Sequence, residues 1–510
     1  MNFTPLDWLF VALFFFLTIF VTLWTRKRIS NYDSYLLAGR SLKLYLAMAS
    51  LGATEIGLVS LMYFAQQGYV SGFSAFIIGI IGLFGFLFVG KTGFIIKGLR
   101  RLRCRTVSEF FGMRFNLTTQ VIAGTITFLA GMMNMGVFLI LAAKFILHVV
   151  GIPADLLPYL MIGLLVFVLI YTIIGGMVSV VITDYIQFII LFTGMLITTY
   201  FALKNVGYGN VIQAVQQQYG DGGFNPFISK DLGWSFIIWM LIGSIFGAMW
   251  PPAISRALST TDSETSRKTY LYISFSFLGR VLLPMIWGIC ALAYFRMNPS
   301  LPFPMDGSAP DTASAMPVLL SQILPAGIIG LMTAAALAGM MSTFDSYLLC
   351  WSSIFVNDII LPVRKNQLSE QSKIFLTRIM IIVCGLFVLI WGYFYKPPET
   401  VFRFLAITGT MYVASILLTI AMGLYWKHAN AYGALASLLI GGLFPLTAIF
   451  IKDASILPEN LHWLTSDKIV GIATYGLALA GIVVISLTTQ RICPPKKVVL
   501  SQEQEMEKTG

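Results

Sequence analysis

Four residues of the stretch 330–358, GLMTAAALAGMMSTFDSYLLCWSSIFVND, are spaced to hold a cation. Gly339, Ser342, Thr343 and Ser346 fall at i, i+3, i+4 and i+7, so a helix would put them on one face. That face offers hydroxyl oxygens beside a backbone that Gly339 leaves open to close approach. A set of oxygen donors is what a dehydrated hard cation such as sodium requires. Asp345 adds a carboxylate to a segment otherwise apolar enough to lie in a membrane, and such an acid is read as functional by default. Ser342 or Thr343 alone would be read as helix glue, bonding the preceding turn.

A second group surrounds two interruptions. Residues 50–57, SLGATEIG, place two glycines and Glu55 in mid-span, and residues 247–252, GAMWPP, end in adjacent prolines. Pro251 and Pro252 lack amide donors, which frees the carbonyls of Gly247 and Ala248. Non-helical backbone at that depth survives only when buried in protein or lining a cavity. Paired interruptions in two halves of a chain point to a transporter's solute site. Glu55, Ser60, Tyr63 and Trp250 are the candidate solute contacts. Glu55 would attract a cationic or amine-bearing solute or accept from a sugar hydroxyl, and a desolvated carboxylate can also carry a proton. Trp250 would stack on a sugar or sit over an ammonium group. The plainer alternative pairs Glu55 with a basic residue from another core helix, with Lys144 as a candidate.

These groups need elements to hold them. The chain has 510 residues, 57% of them hydrophobic and 11% charged, with mean hydropathy +0.83. Apolar runs long enough to span a bilayer recur throughout, so the fold class is all-α and polytopic, with no separate soluble domain. About thirteen spans are expected, centred near residues 15, 56, 84, 132, 164, 190, 245, 282, 340, 384, 414, 440 and 479. The net charge of +11 is carried mostly by short loops between spans, which reads as a topology signal and not as a nucleic-acid face. Basic residues such as Arg26–Arg28, Arg100, Arg101, Arg103, Arg105, Lys365 and Lys497 then fall inside, and fewer, such as Lys396 and Lys452, fall outside. The N-terminus is expected outside and the C-terminus in the cytoplasm, in the plasma (inner) membrane. Five scattered cysteines and three histidines imply neither a disulfide framework nor a metal centre.

Skipping the first span, the two breaks open two successive five-helix units, 41–204 and 232–427. An odd number of spans per unit inverts one relative to the other. Residues 1–40 form an extra helix and loop, 205–231 an outside loop, 428–490 two further helices, and 491–510 a polar tail, disordered over 501–510.

Five motifs carry a family resemblance: YLLAGRS at 35–41, TVSEFFGMRF at 106–115, IGGMVSVVITDYIQ at 174–187, AGMMSTFDSYLLCWS at 338–352 and WKHANAYGA at 426–434. In this order and spacing the chain resembles the sodium/solute symporter family, with its LeuT-type five-plus-five inverted repeat. The resemblance implies a sodium site made of the carbonyls of Ala53, Ile56 and Gly339 and the hydroxyls of Ser342 and Thr343. Alanine is common in the family where Gly339 stands, which matters little if the carbonyl alone binds. Asp184 matches an intramembrane acid near the ion path. It would support that sodium or, with Asp345 and Ser346, hold a second ion as in the sialic acid branch, where serine stands at the Asp345 position. The plainer alternative pairs Asp184 and Asp345 with Lys144, Arg280 or backbone amides.

The implied activity is secondary active transport: sodium-coupled symport of a small polar organic solute by alternating access. Sodium, the solute and the lipid bilayer are the expected partners, a monomer suffices, and no enzyme chemistry is implied. A proton-coupled carrier using Glu55, Asp184 or Asp345 stays open as an alternative, and a solute sensor is less favoured.

Overall fold

The computed structural model describes residues 3–25, 31–364, 368–395, 401–453, 458, 463–464 and 466–496, without the side chains of 448–450 and 452–453. The expected inside residues Arg26–Arg28, Lys365 and Lys497, outside Lys396, the side chain of Lys452 and the tail 501–510 lie outside the described residues.

Apolar runs become helices because a chain surrounded by lipid must satisfy its own backbone. They are α1 Pro5–Thr25, α2 Leu44–Glu55, α3 Leu58–Ser71, α4 Phe76–Thr92, α5 Leu117–Met135, α6 Phe138–Val150, α7 Leu157–Val206, α8 Gly233–Gly247, α9 Pro251–Leu258, α10 Ser263–Met297, α11 Ile328–Ile354, α12 Glu370–Phe394, α13 Val401–Tyr412, α14 Leu418–Tyr425, α15 Ala431–Asp453 and α16 Asp467–Thr488. Short helices and one two-stranded hairpin, Met305–Asp306 with Ala309–Pro310, connect them.

Among the described residues ten helical runs are long and apolar enough to cross a membrane. The difference from about thirteen has three sources. The second half of the first broken span runs on into α4, giving Leu58–Thr92 as one run. The spans expected near 164 and 190 are joined in α7, and α15, whose side chains are described continuously only over 431–447, falls outside the ten. The 50 residues of α7 would measure roughly 75 Å if straight, more than twice a bilayer core of ~30 Å. The helix turns at Gly176, whose φ of 51° and ψ of −164° suit only glycine.

Both expected breaks are present. α2 ends at Glu55, Ile56 leaves the helical region (φ −93°, ψ 63°), and Gly57 opens α3 in an extended conformation. α8 ends at Gly247, Trp250 is extended, and Pro251 and Pro252 begin α9. Prolines in the first turn cost nothing, since those amides have no partner within the helix. α11 lies at the centre, with 89% of its apolar window buried, against 33% for both α1 and α12. It packs on α2 and α3 across the first break and on α7 behind them.

The broken helices are tied at both ends. At the Leu42 end a backbone bridge joins the entry of α2 to the exit of α9: Leu42 N–H donates to the Ser259 carbonyl at 3.0 Å, and Thr261 N–H to the Leu42 carbonyl at 3.1 Å. Arg100 caps the same corner, donating to the carbonyls of Thr260 and Thr261 at 3.0 and 2.7 Å. At the Ser71 end, the Asp231 carboxylate accepts from Gln67 and Ser71, both at 2.6 Å, and from Arg403.

Candidate ion and solute site

The break after Glu55 leaves carbonyls without helical partners, and α11 presents hydroxyls to them. Ser342 Oγ donates to the Ala53 carbonyl at 2.8 Å and lies 3.1 Å from that of Gly339. Thr343 Oγ1 lies 3.0 Å from the Gly339 carbonyl and 3.2 Å from that of Thr54. The Ile56 carbonyl closes the group, 2.9 Å from where a Cβ on Gly339 would stand. The five expected oxygens are thus gathered at one junction, together with the Thr54 carbonyl, which sequence reasoning did not include. All are neutral, and all belong to buried residues. Each hydroxyl that now donates to a carbonyl keeps lone pairs that can turn to a cation.

Close approach at this junction depends on two glycines. A Cβ on Gly57 would stand 2.2 Å from Thr343 Oγ1, and one on Gly339 would stand 2.5 Å from Leu191 Cδ1. The expectation that alanine at 339 would matter little concerned ion binding through the carbonyl; for packing, a methyl there would require Leu191 to shift and would crowd the Ile56 carbonyl at 2.9 Å.

Beside the junction lies a cavity of about 250 Å³. Its wall is largely aromatic, with Phe64, Phe138, Trp250 and Phe402 among its members. Two charged side chains face it, and they pair: Arg280 Nη1 donates to Glu55 Oε2 at 2.6 Å. The second guanidinium nitrogen reaches Tyr63 Oη at 3.4 Å, and the guanidinium lies over the Phe277 ring at 4.5 Å. The alternative of pairing with a basic residue from another core helix is thus met by Arg280 and not by its named candidate Lys144, which is held by Asp306 at 3.0 Å and Asp311 at 2.7 Å in the hairpin region. Of the four candidate solute contacts, Glu55, Tyr63 and Trp250 line the cavity. Ser60 does not: its hydroxyl turns back to the Gly57 carbonyl at 2.7 Å.

The sequence profile described as "Sodium:solute symporter family" matches residues 35–441. The chain belongs to the sodium:solute symporter family. It is 28% identical over 327 residues to the sodium/pantothenate symporter of Haemophilus influenzae, a match covering 61% of this chain and 63% of that protein, less than two thirds of its length. It is 25% identical over 476 residues to the sodium/glucose cotransporter of Vibrio parahaemolyticus, covering 88% and 85%. Among solved structures, a Na+-coupled sialic acid symporter in a substrate-bound outward-open state superposes with a TM-score of 0.77 at 21% identity, covering 98% of this chain and all 100% of the other. A nucleobase-cation-symport-1 family transporter in a closed conformation superposes at 0.56 with 12% identity, covering 93% and 98%. The fold is of the LeuT type, and the chain is a multi-pass membrane protein of a transporter family, not an enzyme.

For a sodium:solute symporter, the surroundings of Asp184 are the least expected part. Asp184 is fully buried and accepts from Ser50 Oγ at 2.5 Å. Its charge is met by Arg256, also fully buried, at 3.4 Å from Oδ2. Arg256 also donates to Ser50 Oγ at 3.2 Å and to Ser346 Oγ. Ser346 is within 3.1 Å of Thr54 Oγ1 and donates to Asp345 at 3.1 Å, and Tyr171 Oη donates to Asp345 at 3.2 Å. Of the bases named in the plainer alternative, neither Lys144 nor Arg280 pairs with these acids; the base at Asp184 is Arg256. Asp184, Asp345 and Ser346 do come together, but around a guanidinium. Sequence reasoning passed over Arg256, although an arginine four residues beyond Pro252, in an apolar stretch, was itself a signal.

Proposed function

We propose that the protein carries sodium and a small polar organic solute together into the cell by alternating access. The observation that carries this reading is the junction at the first break, where the Ser342 and Thr343 hydroxyls lie against the carbonyls of Ala53, Thr54 and Gly339. An ion held there would tie α11 to the broken strand of chain between α2 and α3. Glu55, on the cavity wall, is one residue from Ile56 and two from Ala53. Ion binding and the shape of the solute cavity are then one event, which is the reciprocal linkage that symport needs. Sodium entry is favoured by its gradient and by the membrane potential, worth about 2.3 kcal/mol per charge per 100 mV.

In this reading the ion ligands are Ala53, Ile56, Gly339, Ser342 and Thr343, and Glu55, Tyr63 and Trp250 face the solute. A single sodium is bound per cycle. The position that Asp184, Asp345 and Ser346 would otherwise offer a second ion is served by the charge of Arg256. The chain crosses the membrane thirteen times, with its N-terminus outside, its C-terminus in the cytoplasm, and units 41–204 and 232–427 as inverted repeats. One protomer suffices.

The test is current measurement on proteoliposomes holding the full chain, with a panel of sugars, amino acids, carboxylates and quaternary amines. Solute-evoked inward charge movement should require sodium, fail in potassium, rise hyperbolically with sodium concentration, and vanish in Ser342→Ala/Thr343→Ala. Solute-evoked currents that follow a proton gradient without sodium would overturn the reading.

A further inference from the structure

We propose that the cavity is built for a solute of zero net charge that carries hydrogen-bond donors and acceptors close together, such as a polyol or a zwitterion. This rests on the cavity being the solute site. Glu55 and Arg280 are the charged side chains on its wall, and they cancel each other at 2.6 Å. Both side chains are nearly buried, 12% and 9% exposed. A net cation or anion entering beside them would bring an unbalanced charge into a low-dielectric space, which is the costly case for buried ions. Of the solutes expected at Glu55, the amine-bearing and hydroxyl-bearing ones fit this pair when their net charge is zero, because the carboxylate's own charge is already met.

The pair is not used up internally. Glu55 Oε1 and Arg280 Nε are buried without a partner, and so is Trp250 Nε1. Buried polar atoms are ordinarily satisfied, and these three, on cavity-lining residues, become available to a bound solute when their side chains turn toward the cavity. They amount to one acceptor and two donors. A solute that donates a hydrogen bond to Glu55 and accepts one from Arg280 fits this set, through neighbouring hydroxyls in a polyol or through an ammonium and a carboxylate in a zwitterion. Aromatic neighbours such as Phe64 and Phe138 then cover the carbon skeleton.

The experiment is solute-dependent thermal stabilisation of the purified full-length protein at constant saturating sodium. The probes are myo-inositol and glucose as polyols, proline as a zwitterion, choline as a cation and pantothenate as an anion. In the wild type, polyols or proline should raise the melting temperature, whichever does so naming the subclass. Choline and pantothenate should bind roughly tenfold or more weakly. Glu55→Gln leaves the guanidinium unbalanced and should shift preference to pantothenate, and Arg280→Gln should shift it to choline. Should either single variant fail to fold, Glu55→Gln/Arg280→Gln restores charge balance and should keep the neutral preference with weaker binding. Stabilisation of the wild type by choline or pantothenate alone, by no neutral probe, or an unchanged preference in both single variants, would overturn the inference. Sodium-specific stabilisation measured without solute reports on the ion junction separately, so failure there is distinguishable from failure here.

Discussion

At the scale of single residues, the junction between the first break and α11 tolerates very little added volume. Gly57→Ala would drive a methyl to 2.2 Å from Thr343 Oγ1. Overpacking of this kind costs about 1–3 kcal/mol, and here the group displaced is a proposed ion ligand. The variant should fold with reduced stability and need more sodium for half-maximal stabilisation, measured by thermal unfolding against sodium concentration. Arg256 carries the opposite risk. Removing it by Arg256→Leu leaves Asp184 buried and unmatched, an effect of about 3–5 kcal/mol. Denaturant unfolding should show that loss, and Arg256→Leu/Asp184→Asn should recover much of it. The Gly339–Ser342–Thr343 face and the glycine-flanked break at 50–57 were legible in the sequence as short local patterns, whereas the Ala53 and Ile56 carbonyls entered as proposed ligands through the family resemblance. The Glu55–Arg280 and Asp184–Arg256 pairs join residues 225 and 72 positions apart, and no local pattern encodes which acid meets which base.

At the scale of elements, the chain uses residues that cannot continue a helix to place its site. The glycines near Glu55 and the Pro251–Pro252 pair were readable as breaks, since missing amides and permissive backbone act locally. The turn in α7 was read only as a boundary between two spans, whereas the structure joins them through Gly176. A Cβ there would meet Tyr35 Cδ2 at 2.6 Å as well as an unfavourable backbone conformation. Gly176→Ala should cost on the order of 1–3 kcal/mol from the backbone alone and lower the melting temperature of the purified protein. Gly163→Ala, which has open space around its Cβ position, is the control and should leave the melting temperature nearly unchanged.

At the scale of the whole molecule, the two broken helices are bound to each other at the Leu42 end and, through Asp231, to α3 and α13 at the other. The proposed alternating access requires these ties to open in turn. Leu42 and Thr260 are bridge partners, so their Cα atoms lie within the usual reach of a disulfide. Leu42→Cys/Thr260→Cys should therefore cross-link on oxidation, stop transport and retain sodium-dependent stabilisation, with reduction restoring transport. The all-helical, multi-pass architecture was legible from hydropathy. The ties at the two ends of the broken helices were not, because they are made by loop carbonyls and by ion pairs between distant segments. The measurement that decides most is sodium-dependent thermal stabilisation of the full-length protein, with potassium as control, in the wild type and in Ser342→Ala/Thr343→Ala. Mass action makes even weak binding visible at high sodium. A sodium-specific rise in melting temperature that disappears in the double variant is the predicted result. A rise equal in potassium, or one that survives loss of both hydroxyls, would contradict an ion site at the junction of the first break and α11.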